Sequence, residues 1–333
     1  MSESYIAIDI GATNTRISLC DRQGLLEKMV YSTPREGDEY TIARFICEKI
    51  VSKWRDELNR VETIGVATIG PLDIKQGRVV NTPNIPIRNF EIIKPITKTL
   101  RKPVYVANDC VASVWGEKIY GDGRGVSNLI YLTLSTGIGA GIVVDDNLLI
   151  GKMGNAHEIG HIVVDFNSQI KCGCGGRGHW EAFAGGANLP RVAKYVLLKD
   201  RSLMTTELGK RIASNESVTS KDIFDYYRKG DRLSIEVIEL YIKATAAGIA
   251  SIINAYDPEV LIMGGSVFLN NMDILLEPIL EVVKDNIVTG MPIMKPTKFA
   301  DDVGLYGALA LANHTPQKIK QIQDHLINEA LAN

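Results

Sequence analysis

The 333-residue chain balances 37 Lys and Arg against 39 Asp and Glu, for a formal net charge of −2, which offers no basic footprint for nucleic acid. Its 45% hydrophobic and 23% charged residues are the mix of an ordinary soluble globular protein. No apolar run approaches the roughly 20 residues that span a bilayer, the Met-Ser-Glu-Ser-Tyr start lacks a secretory pattern, and this length accommodates about two domains.

In chain order, residues 5–10 read as a buried strand that ends in Gly11-Ala12-Thr13-Asn14. Strands over 15–20 and 25–30 follow, with a turn at 21–24, giving a β-meander with a glycine-led first hairpin. Asp9 stands at the strand end before that turn. Gly11 lets a phosphate approach the backbone N–H groups, and Thr13 and Asn14 add donors. The carboxylate repels phosphate unless a cation such as Mg²⁺ lies between them. An ordinary hairpin with an Asx turn explains the same residues. The sequence G-x-x-x-x-G-K-[ST] does not occur, so this is not a P-loop protein.

Ile42, Phe45, Ile46, Ile50 and Trp54 recur at helical spacing and predict a helix over 39–58. A strand over 63–67, a two-proline loop over 81–86, a helix near 90–100 and a strand over 103–107 come next. Asn108-Asp109 then opens a helix carrying Val111, Val114 and Trp115. Asp109 fits an N-cap, for which Asn108 competes. It also fits a general base that takes a proton from a hydroxyl attacking a phosphoryl group. Gly121-Asp122-Gly123-Arg124-Gly125 reads as a linker and a domain boundary.

Residues 128–144 repeat the opening pattern. An apolar strand runs into Ser135-Thr136-Gly137-Ile138-Gly139, and a second strand covers 140–144. Thr136 and Gly137 thereby match the Asp9–Asn14 turn as the second side of a polyphosphate clamp. One such unit in each half predicts two similar domains facing each other across a cleft.

Three of the five histidines and two of the five cysteines fall within 155–181. Cys172, Cys174, His179 and the upstream His161 are two thiols and two imidazoles, a set suited to tetrahedral zinc. Four protein ligands close such a site, which makes it structural and fixes the flanking acids Glu158 and Glu181. A Gly-rich surface loop with spare cysteines is the plainer reading, while a Cys172–Cys174 disulfide requires a strained ring. Reduced cysteines beside a metal fit a cytoplasmic protein. His157-Glu158-Ile-Gly-His161 also matches H-E-x-x-H, but Gly160 interrupts the helix that this protease signature needs, and Ile162-Val163-Val164 favours a strand after it.

Residues 199–231 read as peripheral helices. Residues 233–256 read as a long helix whose small, apolar end over 244–255 is buried. A strand over 260–263 ends at Gly264-Gly265, which either lets a flat base approach the backbone or makes a plain strand-to-helix turn. Helices over about 272–287 and from about 304 to the end complete the chain.

Taken together, these residues resemble the ROK family of sugar kinases, within the hexokinase–actin–Hsp70 superfamily. The likeness runs in order through Asp9–Asn14, Gly65–Asp73, Thr82-Pro83-Asn84-Ile85-Pro86, Asn108-Asp109, Ser135–Gly141, Glu158-Ile-Gly-His161, the Cys–Gly cluster ending in Glu181, and Gly264-Gly265. Its most specific part is E-x-G-H followed by C-x-C-G-x-x-G-C-x-E, from which this chain departs by placing His179 at the third cysteine. The resemblance implies an α/β, two-domain actin-like ATPase fold of ribonuclease H type with an interdomain cleft. It divides the chain into a small domain, 1–120 plus about 304–333, and a large zinc-bearing domain, 121–303. It implies an ATP- and Mg²⁺-dependent phosphotransfer to a hexose 6-hydroxyl, with Asp109 as the base. Asn84, Asp109, Glu158, His161 and Glu181 then hold the sugar. Asp9, Gly11, Thr13, Asn14, Thr136, Gly137, Gly264 and Gly265 hold ATP, and His161, Cys172, Cys174 and His179 hold structural Zn²⁺. His161 has one ring nitrogen on the metal and its other N–H on the sugar. Glucose leads the expected substrates, followed by N-acetylglucosamine or N-acetylmannosamine, then allose or fructose. A homodimer or homotetramer is expected. The family's repressors carry an added N-terminal helix-turn-helix, for which the strand at residue 5 leaves no room.

Overall fold

The computed structural model describes residues 3–80, 82 and 85–332. The chain opens with β1 (Ser4–Ile10), β2 (Asn14–Cys20) and β3 (Leu25–Ser32), then α1 (Thr41–Trp54) and β4 (Val61–Thr68). A small hairpin, β5 (Leu72–Asp73) and β6 (Arg78–Val79), leads to α2 (Ile93–Leu100), β7 (Val104–Asn108) and α3 (Asp109–Tyr120). Next come β8 (Leu129–Leu134), β9 (Ile138–Val144) and β10 (Asn147–Leu148), then α4 (Trp180–Ala184) and α5 (Leu189–Lys199). The remainder is α6 (Glu207–Ala213), α7 (Ser220–Arg228), α8 (Arg232–Tyr256), β11 (Val260–Gly264), α9 (Ser266–Leu269), α10 (Met272–Lys284), β12 (Ile293–Pro296), α11 (Val303–Asn313) and α12 (Gln317–Ala332). Among the described residues no helix is long and apolar enough to cross a membrane.

The chain forms two compact units. The first holds residues up to Tyr131, Gly141–His157 and residues from Thr297 onward; the second holds Leu132–Ala140 and Glu158–Pro296. The first is built on a five-stranded sheet in the order β3-β2-β1-β4-β7. The expected meander forms its antiparallel part, and β1, β4 and β7 run parallel. Ile10 pairs with Thr68 and Thr68 with Asn108, so the carboxyl ends of the three parallel strands line up. Parallel strands need both faces covered, which is why Ile6, Ile8, Ile64, Val66, Val104 and Val106 are all fully buried. Helix α11 is apolar on every side, with Leu305, Leu309 and Leu311 at 0% exposure, as a helix enclosed by core must be.

Helix α12 closes the edge of this sheet at β7. The buried Gln323 amide donates to Val106 O at 2.8 Å and accepts from Val106 N at 3.0 Å, replacing the two bonds of a neighbouring strand. Tyr105 donates to Asp324 beside it at 2.8 Å. The single helix expected from about 304 is two helices, because Pro316 cannot continue α11 and restarts the chain as α12. The Gly121–Gly125 stretch lies within the first unit. There the buried Glu117 carboxylate accepts from the Asp122 N–H at 3.2 Å and from the Thr297 hydroxyl.

A second sheet runs β10-β9-β8-β11-β12, and β8 and β9 contribute residues to both units. In the second unit the long helix α8 forms as expected, and the side chains of Ala246, Ile249, Ile252 and Ile253 are buried. Gly248 matters most. A methyl group there would stand 2.2 Å from the Trp180 ring, so only glycine lets that fully buried indole lie on α8. The indole N–H reaches the Thr245 hydroxyl at 3.4 Å. Burying an aromatic side chain stabilises by about 2–3 kcal/mol, and here it fixes the short helix that carries Glu181.

Candidate functional site

In the first unit the aligned strand ends place Asp9 and Asp109 on one border of the sheet. Asp9 pairs across the hairpin with Arg16, whose guanidinium donates to its Oδ2 at 3.0 Å. Helix α11 begins against it, since a side chain at Gly304 would stand 2.8 Å from Asp9 Cγ. Burial pushes the Asp9 carboxyl up to about 6; Arg16 opposes this, while the charges of Asp109 and Asp302 add to it. The turn after it is closed by Gly11 N–H on Asn14 O at 2.9 Å. It is braced by Thr33, just past β3, which donates its amide to Thr13 O at 2.9 Å and its hydroxyl to Gly11 O at 2.8 Å. Thr13 itself is exposed at the tip.

A raised carboxyl has a definite stability signature. The folded state holds the Asp9 proton more tightly than the unfolded chain, so stability falls as pH rises from about 4 to about 6 and is flat above. Asp9→Asn removes that cost, which is at most about 3 kcal/mol at pH 8, and leaves Arg16 to bond water. We expect Asp9→Asn to melt higher than wild type at pH 8 in magnesium-free buffer, with the difference vanishing by pH 4. Equal melting temperatures at pH 8 would mean that Arg16 already neutralises the site.

Asp109 is the first residue of α3. Both candidate caps engage the same donor: Asn108 Oδ1 and Asp109 Oδ1 each accept from Cys110 N at 2.8 Å. Asn108 is the geometric N-cap, so Asp109 is not required to start the helix. Burial raises the Asp109 carboxyl above its ordinary range, and His157 pulls it the other way. Asn84 lies outside the described residues.

The second unit gathers the metal candidates. The ligand atoms of His161, Cys172, Cys174 and His179 all lie within 4.8 Å of one another. Cys172 Sγ is 3.8 Å from His161 Nδ1, and Cys174 Sγ is 3.3 Å from His179 Nδ1. Donors 2.0–2.3 Å from a tetrahedral ion stand about 3.3–3.8 Å apart, so these four fit zinc with a slight contraction. Burial opposes ionisation of Cys172, but His161 and the backbone and side chain of Cys174 more than offset it, and the thiol falls below its usual value. The other nitrogen of His161, Nε2, faces Glu158 Oε2 at 3.3 Å. Glu181 accepts from the Ile138 N–H at 2.9 Å with one oxygen and from the Cys172 thiol at 3.7 Å with the other. The cluster is thus tied to the turn containing Thr136 and Gly137.

The His157–His161 stretch forms no helix with both imidazoles on one face. Its only regular piece is a 3₁₀ turn, Ile159–His161, and His157 is not among the four clustered donors. The H-E-x-x-H reading therefore fails on backbone geometry.

Turn 135–137 borders a cavity of about 310 Å³, lined among others by Thr136, Ala187, Pro190, Thr219, Ser266 and Val267. The Ser135 and Ser266 hydroxyls meet at 3.1 Å, and Ala187 N–H bonds Thr136 O at 3.0 Å. Gly265 has a φ of +91°, and a side chain there would stand 2.4 Å from Leu134 O. The Gly264-Gly265 turn is therefore dictated by close backbone packing against β8, whatever it also binds.

Sequence reasoning missed three neighbours of these groups. Arg16 was readable, because a turn at 11–14 forces 9 opposite 16 in the hairpin. Asp302 and His157 had no local signal, since only the tertiary fold brings them to Asp9 and Asp109.

Comparison with known proteins finds relatives along nearly the whole chain. The ROK family model matches residues 5–315. A glucokinase of Pyrobaculum calidifontis is 42% identical over 318 residues, 95% of this chain and 97% of that protein. The crystal structure of a ROK hexokinase from Thermus thermophilus superposes with a TM-score of 0.80 at 30% identity, covering 96% of this chain and 99% of that one. A ROK glucokinase from Streptomyces griseus, solved with glucose and AMPPNP, gives a TM-score of 0.73 at 29% identity over 93% and 99% of the two chains. The fold is accordingly the α/β, actin-like ATPase fold of those sugar kinases, and the chain belongs to the ROK family.

Proposed function

We propose that this chain is an ATP-dependent glucokinase, transferring the γ-phosphoryl group of ATP to the 6-hydroxyl of glucose. The observation that carries this reading is the pair of carboxylates at the aligned ends of β1 and β7, one beside a glycine turn and one at a helix start where capping does not need it. The relative from P. calidifontis bears the name glucokinase, and the S. griseus neighbour was crystallised with glucose and an ATP analogue. Phosphoryl transfer passes through a loose transition state, so positioning and charge neutralisation do most of the work. Asp109 accepts the proton of the attacking hydroxyl as the oxygen bonds to phosphorus and ADP departs. Its raised carboxyl pKa makes it a better proton acceptor than an ordinary aspartate.

Asn84, Glu158, His161 and Glu181 hold sugar hydroxyls, each of which both donates and accepts. The turns at Gly11–Asn14 and Thr136–Gly137 receive phosphate oxygens on backbone N–H groups. The cavity beside Thr136, with Gly264 and Gly265 immediately before its lining residue Ser266, takes the nucleoside. Mg²⁺, bound with ATP, neutralises phosphate charge, and Asp9 is the carboxylate suited to it: burial makes its ionised form costly until a cation arrives. Zn²⁺ fits the His161, Cys172, Cys174 and His179 set, where it orients Glu158 and Glu181 and leaves no position for chemistry.

The test is an ADP-release assay over glucose, N-acetylglucosamine, N-acetylmannosamine, mannose, allose and fructose with Mg²⁺. Glucose should give the highest kcat/KM, and glucose 6-phosphate should be the product. Release of no ADP with any of these sugars would rule out the kinase reading. A higher kcat/KM for an N-acetylhexosamine would reassign the substrate.

A further inference from the structure

Glu117 lies on α3, the helix that Asp109 opens, and is fully buried. Each of its carboxylate oxygens has its own donor. Oε2 accepts from the Asp122 N–H at 3.2 Å, and Oε1 accepts from the hydroxyl of the buried Thr297. An amide has a single oxygen, so glutamine could serve one of these donors and not both. Thr297 is the residue at which the chain returns to the first unit, and its hydroxyl also accepts from the Phe299 N–H at 3.2 Å. The segment beyond it is tied down on several sides. The Phe299 ring stacks on Tyr306 of α11 with centroids 4.0 Å apart, and the Asp302 N–H bonds Phe299 O at 2.9 Å. Lys28 on β3 donates to the two Asp302 oxygens at 2.7 and 2.9 Å. The segment leads to Gly304 in the first turn of α11, where a methyl group would stand 2.8 Å from Asp9 Cγ and 3.0 Å from each Asp9 oxygen.

We propose that Glu117 and Thr297 are positioning residues for Asp9: their hydrogen bond anchors segment 297–303 to α3, and that segment sets where the first turn of α11 meets the Asp9 carboxylate. The inference rests on Asp9 being the carboxylate that faces magnesium–ATP. Arg16 on β2 holds one Asp9 oxygen by a hydrogen bond at 3.0 Å. The backbone of Gly304 confines the same carboxylate by contact. Asp9 is therefore placed only as well as α11 is placed. Helix α11 lies directly on α3, where a methyl group at Gly116 would stand 2.6 Å from Gly307 N. A contact between two glycines fixes how closely the helices approach, but it offers no side chain to stop one sliding along the other. The Glu117–Thr297 bond supplies that stop, because it ties the chain entering α11 to α3 itself. Burying a carboxylate is costly unless donors meet it, and a side chain that merely filled this space would need neither the charge nor the donors.

The experiment uses the full chain with Glu117→Gln, Thr297→Val and Thr297→Ser. Mn²⁺ replaces Mg²⁺, since both take oxygen ligands, and water-proton relaxation then reports binding of manganese–ATP without any turnover. Glu117→Gln and Thr297→Val should each bind manganese–ATP roughly tenfold more weakly than wild type, the usual scale for losing a group that orients a metal-facing side chain. Affinity for metal-free ATP and the KM for glucose should not change. Thr297→Ser keeps the hydroxyl and should restore wild-type affinity, so the two Thr297 variants decide the matter if Glu117→Gln fails to fold. In an Asp9→Asn background, Thr297→Val should make no further difference. Wild-type affinity for manganese–ATP in Thr297→Val overturns the proposal, as does a further loss on top of Asp9→Asn. An equal loss for metal-free ATP or for glucose also overturns it, because that marks a general loosening of the fold. A wild type that binds manganese–ATP but phosphorylates no sugar refutes the kinase reading instead, and the relaxation titrations still decide whether Glu117 and Thr297 act on Asp9.

Discussion

Asp109→Asn lowers kcat by at least ~100-fold, the usual scale for a lost general base, and leaves the protein folded with its affinity for glucose largely intact. The structure explains why the fold survives. Asn108 already caps α3 through Cys110 N at 2.8 Å, and an asparagine at 109 can offer the same Cys110 N–H an amide oxygen in place of Oδ1. What disappears is proton acceptance. A sugar hydroxyl that cannot shed its proton attacks phosphorus poorly, however well ATP is held. Steady-state kinetics with isothermal titration of glucose separates the two effects. Turnover within tenfold of wild type would return Asp109 to a helix-start role.

Cys174→Ala is expected to lose the metal and to raise the KM for glucose by ~10-fold or more, with the KM for ATP nearly unchanged. Cys174 is the better probe of the two cysteines. Cys172 donates to the Glu181 carboxylate at 3.7 Å, so its removal disturbs that acid directly. Cys174 is exposed and has His179 Nδ1 at 3.3 Å, so it reaches the sugar-facing acids only through the other members of the cluster. Without the ion, His161 is released from the position that sets it against Glu158, and the Glu158–Glu181 pair loses its common anchor. His179→Cys exchanges one good zinc ligand for another and should keep both metal and activity. Elemental analysis with kinetics on wild type and both variants checks this. A zinc-free but fully active wild type would remove the metal from the account.

Much of this architecture was legible because strands and helices here carry strong patterns. Residues 5–10 form an apolar run that ends at a glycine turn, and β1 and β2 form over Ser4–Ile10 and Asn14–Cys20. The helix expected at 233–256 is found at Arg232–Tyr256, with its small-residue end buried. Elements too short for periodicity escaped: the β5–β6 hairpin, α4, and β12, whose pairing with β11 is set by tertiary register. The metal cluster was visible because three of its four ligands lie within eight residues, and their chemistry is distinctive whatever the fold. The environment of Asp109 was not visible. Its raised carboxyl and its histidine neighbour come from burial and from loop attachments that join distant segments.

The side chain of Gln323 stands in for a missing strand at β7. An uncovered strand edge is a template on which other chains can add. Helix α12 therefore guards colloidal behaviour as much as fold: with α12 undocked, Val106 would offer its N–H and C=O to any passing extended segment. The buried amide imitates a strand that can go no further, since a single side chain satisfies one residue and propagates nothing.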